Sequence, residues 1–237
     1  MDGLVPAAGE GTRLRPLTAD RPKGLVPVGD RPLLAHVFDT LVDLGVTHLV
    51  VVVGYRGDEI RAHFGDSYGE TPITYVDQPE RRGLAHAVAL AGPHVSGEFL
   101  LLNGDNVCNA NLDAVVARHR ETDAVATLPV ERVSRERAAQ AGVLAFEDGA
   151  VVGVSEKPAD PPSRLIPRGF YALDERVVDA CRDVEPGHTG ERELSAALDA
   201  LLTAGESVET VALEGWCVNV NTPADVERAA ARLGSDD

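Results

Sequence analysis

The chain has 237 residues and a mass of 25.1 kDa, and 44% of it is hydrophobic. That suffices for a sizeable core in one large domain and is too much for disorder throughout. Its formal charge of -16, with 38 acidic against 22 basic residues, argues against a nucleic-acid footprint and against docking on anionic lipid. No apolar stretch approaches the ~18 residues of a membrane span. Met1 to Pro6 lacks both the basic and the apolar region of a signal peptide. Three scattered cysteines (Cys108, Cys181, Cys217) lie outside any CxxC spacing and predict neither a disulfide framework nor a zinc site. The expectation is a soluble, cytoplasmic protein.

The basic residues are lopsided. Only Lys23 and Lys157 are lysines, and the rest are arginine. An acidic, lysine-poor composition is one found in salt-loving organisms, where the medium screens self-repulsion.

Strand and helix alternate along the chain. Leu4-Val5 is a short apolar run before a glycine-rich loop, after which Pro16, Pro22 and Pro27 forbid a long helix. A helix is predicted from Pro32 to Leu44, with Asp30 as N-cap and Gly45 as terminator. The unalternating run His48–Val53 predicts a strand covered on both faces. There follow a helix at Ile60–Phe64, a strand at Ile73–Val76, a helix at Leu84–Ala91 and a buried strand at Phe99–Leu102. Leu112–His119 reads as helical and Ala124–Val130 as extended. Val143–Phe146 and Ala150–Val154 flank a hairpin turn at Glu147-Asp148-Gly149. The remainder offers a strand at Phe170–Leu173, helices at Glu175–Cys181 and Glu191–Thr203, a strand at Val208–Leu213 and a closing helix at Pro223–Leu233. A polar tail runs from Ser235 to Asp237. The pattern predicts an α/β sandwich whose sheet is mostly parallel with antiparallel additions. It is read as a single domain over 1–237, in two halves meeting near residue 130.

Gly9-Glu10-Gly11-Thr12-Arg13-Leu14 follows the first strand at once. A dinucleotide fingerprint needs glycine where Leu14 stands and a helix where Pro16 blocks one. A P-loop needs Gly-Lys-Ser/Thr. The loop fits neither, which disfavours an oxidoreductase, though its backbone N–H groups suit an anion. The longer string is more specific. Pro6-Ala7-Ala8-Gly9-Glu10-Gly11-Thr12-Arg13-Leu14, followed by Arg21-Pro22-Lys23-Gly24, resembles the signature of the sugar nucleotidyltransferases, or nucleoside-diphosphate-sugar pyrophosphorylases. Gln78 with Gly83-Leu84-Ala85 resembles the family's base-reading segment, and Gly104-Asp105-Asn106 its metal motif. Glu156-Lys157-Pro158, Gly190-Glu191-Arg192-Glu193 and Trp216 through Pro223 resemble its later motifs, so the resemblance spans essentially the whole chain. In overall tone it is similar to the short glucose-1-phosphate uridylyl- and thymidylyltransferases.

The resemblance implies a Rossmann-like three-layer α/β/α sandwich, with a nucleotide-binding half (1–130) and a sugar-phosphate-binding half (131–237). It implies transfer of a nucleoside monophosphate from UTP or dTTP to a sugar 1-phosphate, with Mg²⁺ as cofactor and pyrophosphate as leaving group. Arg13 and Lys23 would neutralise the triphosphate, and Lys157 would hold the sugar phosphate. Ala7, Ala8, Gly9, Gly11, Thr12, Gln78, Gly83 and Gly104 would receive the nucleotide. Gly142, Glu156, Gly169, Tyr171 and Glu191 would shape the sugar pocket. Asp105 and Asn219 would bind the metal, with Asn221 as a nearby alternative. The chemistry needs such a set, because a phosphate oxygen must approach the α-phosphorus of a polyanion. That the two surviving lysines both fall in motifs supports the same reading.

Several positions depart from the family pattern. Pro6 replaces a leucine, Gly24 a frequent proline, and Asn219 a frequent aspartate. The arginine expected before the Gly-Glu-x-Glu glutamate is absent, with Arg192 and Arg168 as candidate substitutes. A catalytically silent nucleotide-sugar sensor or regulatory subunit, and a guanylyl- or cytidylyltransferase, are the alternative readings. Partners are expected to be small molecules and, as in relatives, further copies of the chain. No nucleic acid and no membrane are expected, and glycosylation is the expected downstream use.

Overall fold

The computed structural model describes residues 1–235, so that the predicted polar tail lies, beyond Ser235, outside the described residues. The unalternating apolar runs form the middle of one large sheet. Asp2–Ala7 lies between His48–Val53 and Phe99–Leu102 and is parallel to both, and Thr71–Asp77 extends the sheet beyond His48–Val53 in the same sense. Phe170–Leu173 joins Phe99–Leu102 antiparallel. Ala126–Arg132 then pairs antiparallel with Phe170–Leu173 and Leu165–Pro167 on one side and parallel with Val208–Ala212 on the other. Val50, Val51, Val52, Leu101 and Leu102 are all fully buried, as strands covered on both faces require.

Two apolar clusters lie against the sheet, one on each face. Leu84–Ala91, Arg176–Asp183 and Leu194–Thr203 supply the first. Leu33–Asp43, Gly57–Phe64 and Leu112–Arg120 supply the second. The architecture is the expected three-layer sandwich with a mixed, mostly parallel sheet. Each fully buried Leu or Val side chain contributes about 1.5–3 kcal/mol to holding the layers together.

Leu84–Ala91, Phe99–Leu102, Phe170–Leu173 and Pro223–Leu233 have the predicted bounds. The predicted hairpin turn is present, with Asp148 and Gly149 both at positive φ between Gly142–Glu147 and Ala150–Glu156.

Three readings are corrected. Asp30 does not cap a helix: Pro27-Val28 and Arg31-Pro32 pair across a Gly29-Asp30 turn, and the helix starts at Leu33 after Pro32. The helix expected from Glu191 starts at Leu194, because the Arg192 backbone is taken by another loop: its N–H donates to Arg82 O at 2.6 Å and its carbonyl accepts from Ala85 N at 2.9 Å. Cys108 and Cys217 form a disulfide. They are directly opposed in an antiparallel pairing of Asn106–Ala110 with Gly215–Asn219, 109 residues apart in sequence. Neither short strand was anticipated, so their facing cysteines could not be either.

The departure at Pro6 costs no hydrogen bond. Its carbonyl accepts from Gly104 N at 3.1 Å, and its nitrogen faces the same side, where the ladder with Phe99–Leu102 has already ended at Leu4. Gly24 is set by packing, since a Cβ there would lie 2.4 Å from Leu34 Cδ1.

Candidate active site

In chain order the strands Thr71–Asp77, His48–Val53, Asp2–Ala7 and Phe99–Leu102 stand third, second, first and fourth, so the winding reverses between the last two. Open α/β sheets form ligand crevices at the carboxyl ends of strands at such a reversal. Here those ends deliver Ala7-Ala8-Gly9 from one strand and Asn103-Gly104-Asp105 from the other. Two clefts meet there.

The first cleft is lined by Ala8, Gly9, Gly11, Thr12, Arg13, Lys23, Gln78, Gly83 and Asp105, all anticipated from the sequence. Arg81, Glu191 and Asn221 line it too. Ala7 and Gly104 line a smaller adjoining hollow with Lys23, Asp105 and Asn219. Gly83 (φ +100) serves a close approach: a Cβ would meet Arg192 O at 2.4 Å. This contact seats the Gly190–Glu193 segment on the Arg82–Ala85 loop. Glu191, expected in the sugar pocket, lines this first cleft.

At the junction the charges converge. Lys23 Nζ donates to Asp105 Oδ2 at 2.7 Å and to Asn221 Oδ1 at 2.9 Å, and Arg13 donates to the same Asn221 oxygen at 2.9 Å. Asn221 Nδ2 donates to Asn219 Oδ1. Asn221 was only an alternative ligand from sequence, and it is the hub.

The second cleft is lined by Asn103, Asn106, Gly142, Glu156, Arg168, Gly169, Tyr171, Glu193, Ser195 and Asn219. Gly142, Glu156, Gly169 and Tyr171 were anticipated. Burial and the neighbouring Glu193 carboxylate raise the pKa of Glu156, with Lys157 and Ser195 opposing. Burial, with the charges of Glu156 and Glu193, raises that of Tyr171, which stays a neutral hydroxyl. Asn103 Oδ1 and Asn106 Oδ1 are sealed from solvent without a protein partner. Asn106 is only 3% exposed, and an unmet buried acceptor of this kind costs about 1–3 kcal/mol. Both oxygens suit hydroxyl donors from a ligand. Sequence reasoning passed over Asn106 and Glu193, although each stands inside a quoted motif.

Lys157 lines neither cleft. It occupies the left-handed backbone region (φ +44), its side chain is about half exposed, and its ammonium lies 3.4 Å from Glu156. Of the two arginines proposed for the missing one, Arg168 lines this second cleft, donating to Cys217 O and paired with Glu131 at 3.2 Å. Burial lowers the Arg168 pKa. Arg192 instead bears on His86.

Among the described residues no group of three or more His, Cys, Asp and Glu side chains is arranged to hold a metal. Asp105 and Asn219 do share one hollow, joined through the bond from Val220 N to Asp105 O at 2.8 Å. One carboxylate and one amide oxygen are the hard donors Mg²⁺ takes, completing its shell with water and phosphate; here Asp105 Oδ2 accepts from Lys23 and Asn219 Oδ1 from Asn221, and those bonds would give way to the ion. No helix among the described residues is long and apolar enough to cross a membrane.

Comparison with known proteins identifies the family. The family model described as nucleotidyl transferase matches residues 2–231. The chain is 45% identical over 234 residues to the UTP--glucose-1-phosphate uridylyltransferase AglF of Haloferax volcanii, covering 98% of this chain and 96% of that protein. It is 33% identical to a glucose-1-phosphate thymidylyltransferase of Streptomyces antibioticus, covering 95% of this chain and 64% of that protein. A solved UDP-glucose pyrophosphorylase, crystallised with UDP-glucose, superposes with a TM-score of 0.89 at 22% identity, covering 100% of this chain and 99% of that one. The chain therefore belongs to the nucleotidyl transferase family.

Proposed function

We propose that the protein transfers a uridylyl group from UTP to glucose 1-phosphate, giving UDP-glucose and pyrophosphate, with dTTP as the alternative donor. The carrying observation is the convergence of Lys23, Arg13, Asn221 and Asp105 where the two clefts meet. The full-length 45% match to a uridylyltransferase supports the choice of base and sugar.

In this reading the triphosphate lies along Gly9–Arg13, and Lys23 and Arg13 neutralise it. The sugar lies against Glu156, Tyr171 and Asn106 in the second cleft. Its phosphate oxygen attacks the α-phosphorus from the sugar side. The new O–P bond forms as the bond from the α-phosphorus to the α,β-bridging oxygen breaks, and pyrophosphate leaves towards Arg13. The attacking phosphate is already anionic, so no general base is required. The protein's part is positioning and charge neutralisation in a fixed frame. Asp105 and Asn219 would hold Mg²⁺, which when bound supplies positive charge to the phosphates. Lys157 swings in from the rim to the sugar phosphate, and Arg168 replaces the missing arginine. The reading places the enzyme in the cytoplasm as a homo-oligomer, on the resemblance alone.

The test is pyrophosphate release in high KCl with Mg²⁺, over a matrix of nucleoside triphosphates and sugar 1-phosphates. Turnover with UTP and glucose 1-phosphate is expected. Silence throughout, with UTP still bound, would instead support the sensor reading.

A further inference from the structure

Gln78 is 5% exposed and lines the nucleotide cleft, and its side-chain amide is held on two sides. Its Nε2 donates to the Gly83 carbonyl at 3.2 Å and lies 3.0 Å from His86 Nδ1. The first bond fixes which end of the amide is nitrogen, because a backbone carbonyl accepts and never donates. Both Nε2 hydrogens are then committed to protein, one to Gly83 and one to His86. The second commitment requires His86 Nδ1 to be a bare acceptor, so the imidazole is neutral and carries its proton on Nε2. Gln78 Oε1 has no protein partner among the described residues and is the atom left to meet a base.

We infer that His86 is a positioning residue for base selection, its unprotonated Nδ1 locking Gln78 so that the amide oxygen, and not the amide nitrogen, faces the nucleobase. The inference rests on the transferase reading of the cleft and adds to it a mechanism of discrimination. A carbonyl oxygen matches the N3–H of a uracil or thymine ring. Against a cytosine ring it meets the bare N3 lone pair, an acceptor facing an acceptor.

The environment keeps His86 in the state this needs. Burial lowers its pKa, and the charges of Arg82 and Arg192 lower it further, while Glu80 acts in the opposite sense. The sign is that acidification protonates Nδ1, turns it into a donor and expels the Gln78 N–H. The lock then fails on the acid side. The Gly83 bond alone leaves the amide freer to rotate, and its nitrogen can then serve cytosine.

Two variants, His86→Phe and His86→Gln, test this. Phe has no acceptor, and Gln offers a neutral one that does not titrate. UTP and CTP are compared with each protein at pH 7.5 and 5.5, by kcat/KM for pyrophosphate release and by calorimetric binding. Folding is checked by circular dichroism. The native protein should prefer UTP at pH 7.5, and any loss of that preference should come only on the acid side, as the lowered His86 value is passed. His86→Phe should narrow the UTP/CTP ratio by roughly ten- to a hundredfold at both pH values, with KM for glucose 1-phosphate unchanged. His86→Gln should keep the ratio at both. A native ratio retained in His86→Phe, or an acid loss in His86→Gln equal to the native one, would overturn the inference. So would equal binding of UTP and CTP by the native protein. Discrimination in binding without turnover would sink the transferase reading and leave the role of His86 standing.

Discussion

Lys23 Nζ lies 2.7 Å from Asp105 Oδ2, a contact that spans 82 residues of sequence and joins the glycine-loop segment to the end of the Phe99–Leu102 strand. The pair is mostly buried, with 13% and 24% of the two side chains exposed. A cation held this way is already in place before the triphosphate arrives, and stabilisation of that kind involves no reorganisation during reaction. Lys23→Gln should therefore lower kcat by roughly 10²–10³, the range for loss of one preorganised donor. Lys23→Arg should not restore it, since a planar guanidinium cannot replace a compact ammonium between Asp105 and Asn221. Steady-state pyrophosphate release by the two folded variants measures both.

Asn219 brings an oxygen but no charge to the hollow it shares with Asp105. Asn219→Asp adds a hard anionic donor, and the Mg²⁺ concentration giving half-maximal rate should fall by roughly tenfold. Asp105→Asn should move it the other way and cut the rate. Initial rates across a Mg²⁺ titration decide the matter. An unmoved midpoint in both variants would place the metal elsewhere.

The unmet Asn106 Oδ1 predicts a sugar-specific effect. Its Nδ2 is spent on Arg168 O at 2.7 Å, so only the oxygen is left for a ligand. Asn106→Ala should raise KM for glucose 1-phosphate by roughly tenfold, the loss of about one net hydrogen bond, with KM for UTP little changed. A change confined to UTP would refute the assignment.

Most of the layered fold was legible because buried parallel strands leave unalternating apolar runs such as His48–Val53, and because Pro and Gly mark their ends. The Gly9–Lys23 side of the first cleft was legible because it is one nearly continuous stretch, while Gln78, Gly83 and Asp105 were found only through their resemblance to separate motifs. In the second cleft Gly142, Glu156, Gly169 and Tyr171 were found through their motifs, whereas Asn106 and Glu193 were passed over because only the folded chain brings their separate segments together. Glu191 was expected in the sugar pocket and lines the first cleft, and the contact that places it there, Arg192 backbone against the Gly83 loop, leaves no periodic signal. The role of Asn221 depends on Lys23 and Arg13 pointing at one oxygen, which only the folded chain shows.

Glu156 links stability to function. Burial and Glu193 hold its folded pKa above the ordinary carboxylate value. The folded state therefore binds a proton more readily than the unfolded one. Stability from this group is present below the unfolded pKa and is lost as pH rises through the raised folded value. Glu156→Gln removes the buried charge. At pH 7.5 its Tm should rise, by roughly 2–4 °C for each kcal/mol relieved in a chain of this size. The gain should vanish at acid pH, where the native carboxyl is itself protonated. Activity should fall, because a strong acceptor for sugar hydroxyls is lost. Thermal melts of both proteins from pH 4 to 8 check the sign, and a variant less stable than native at pH 7.5 would contradict it.

The Cys108–Cys217 bond ties the strand that follows Asp105 to the strand that ends at Asn219, so it braces the two residues proposed to hold Mg²⁺. The third cysteine, Cys181, is fully buried, and burial pushes its thiol up to about 12, so it is closed to reagents in the native state. Thiol counting then has a definite pattern. Native unreduced protein should react with no thiol reagent, unreduced protein in guanidinium at one site, and reduced denatured protein at three. Three thiols in unreduced denaturant would show that the bond does not form. Closing a loop of this length restricts the unfolded chain, and such a bond typically contributes about 2–4 kcal/mol. Reduction, or the double variant Cys108→Ser with Cys217→Ser, should accordingly lower Tm by several degrees. It should also raise the Mg²⁺ concentration needed for half-maximal rate, because Asp105 and Asn219 are then held together only by backbone pairing.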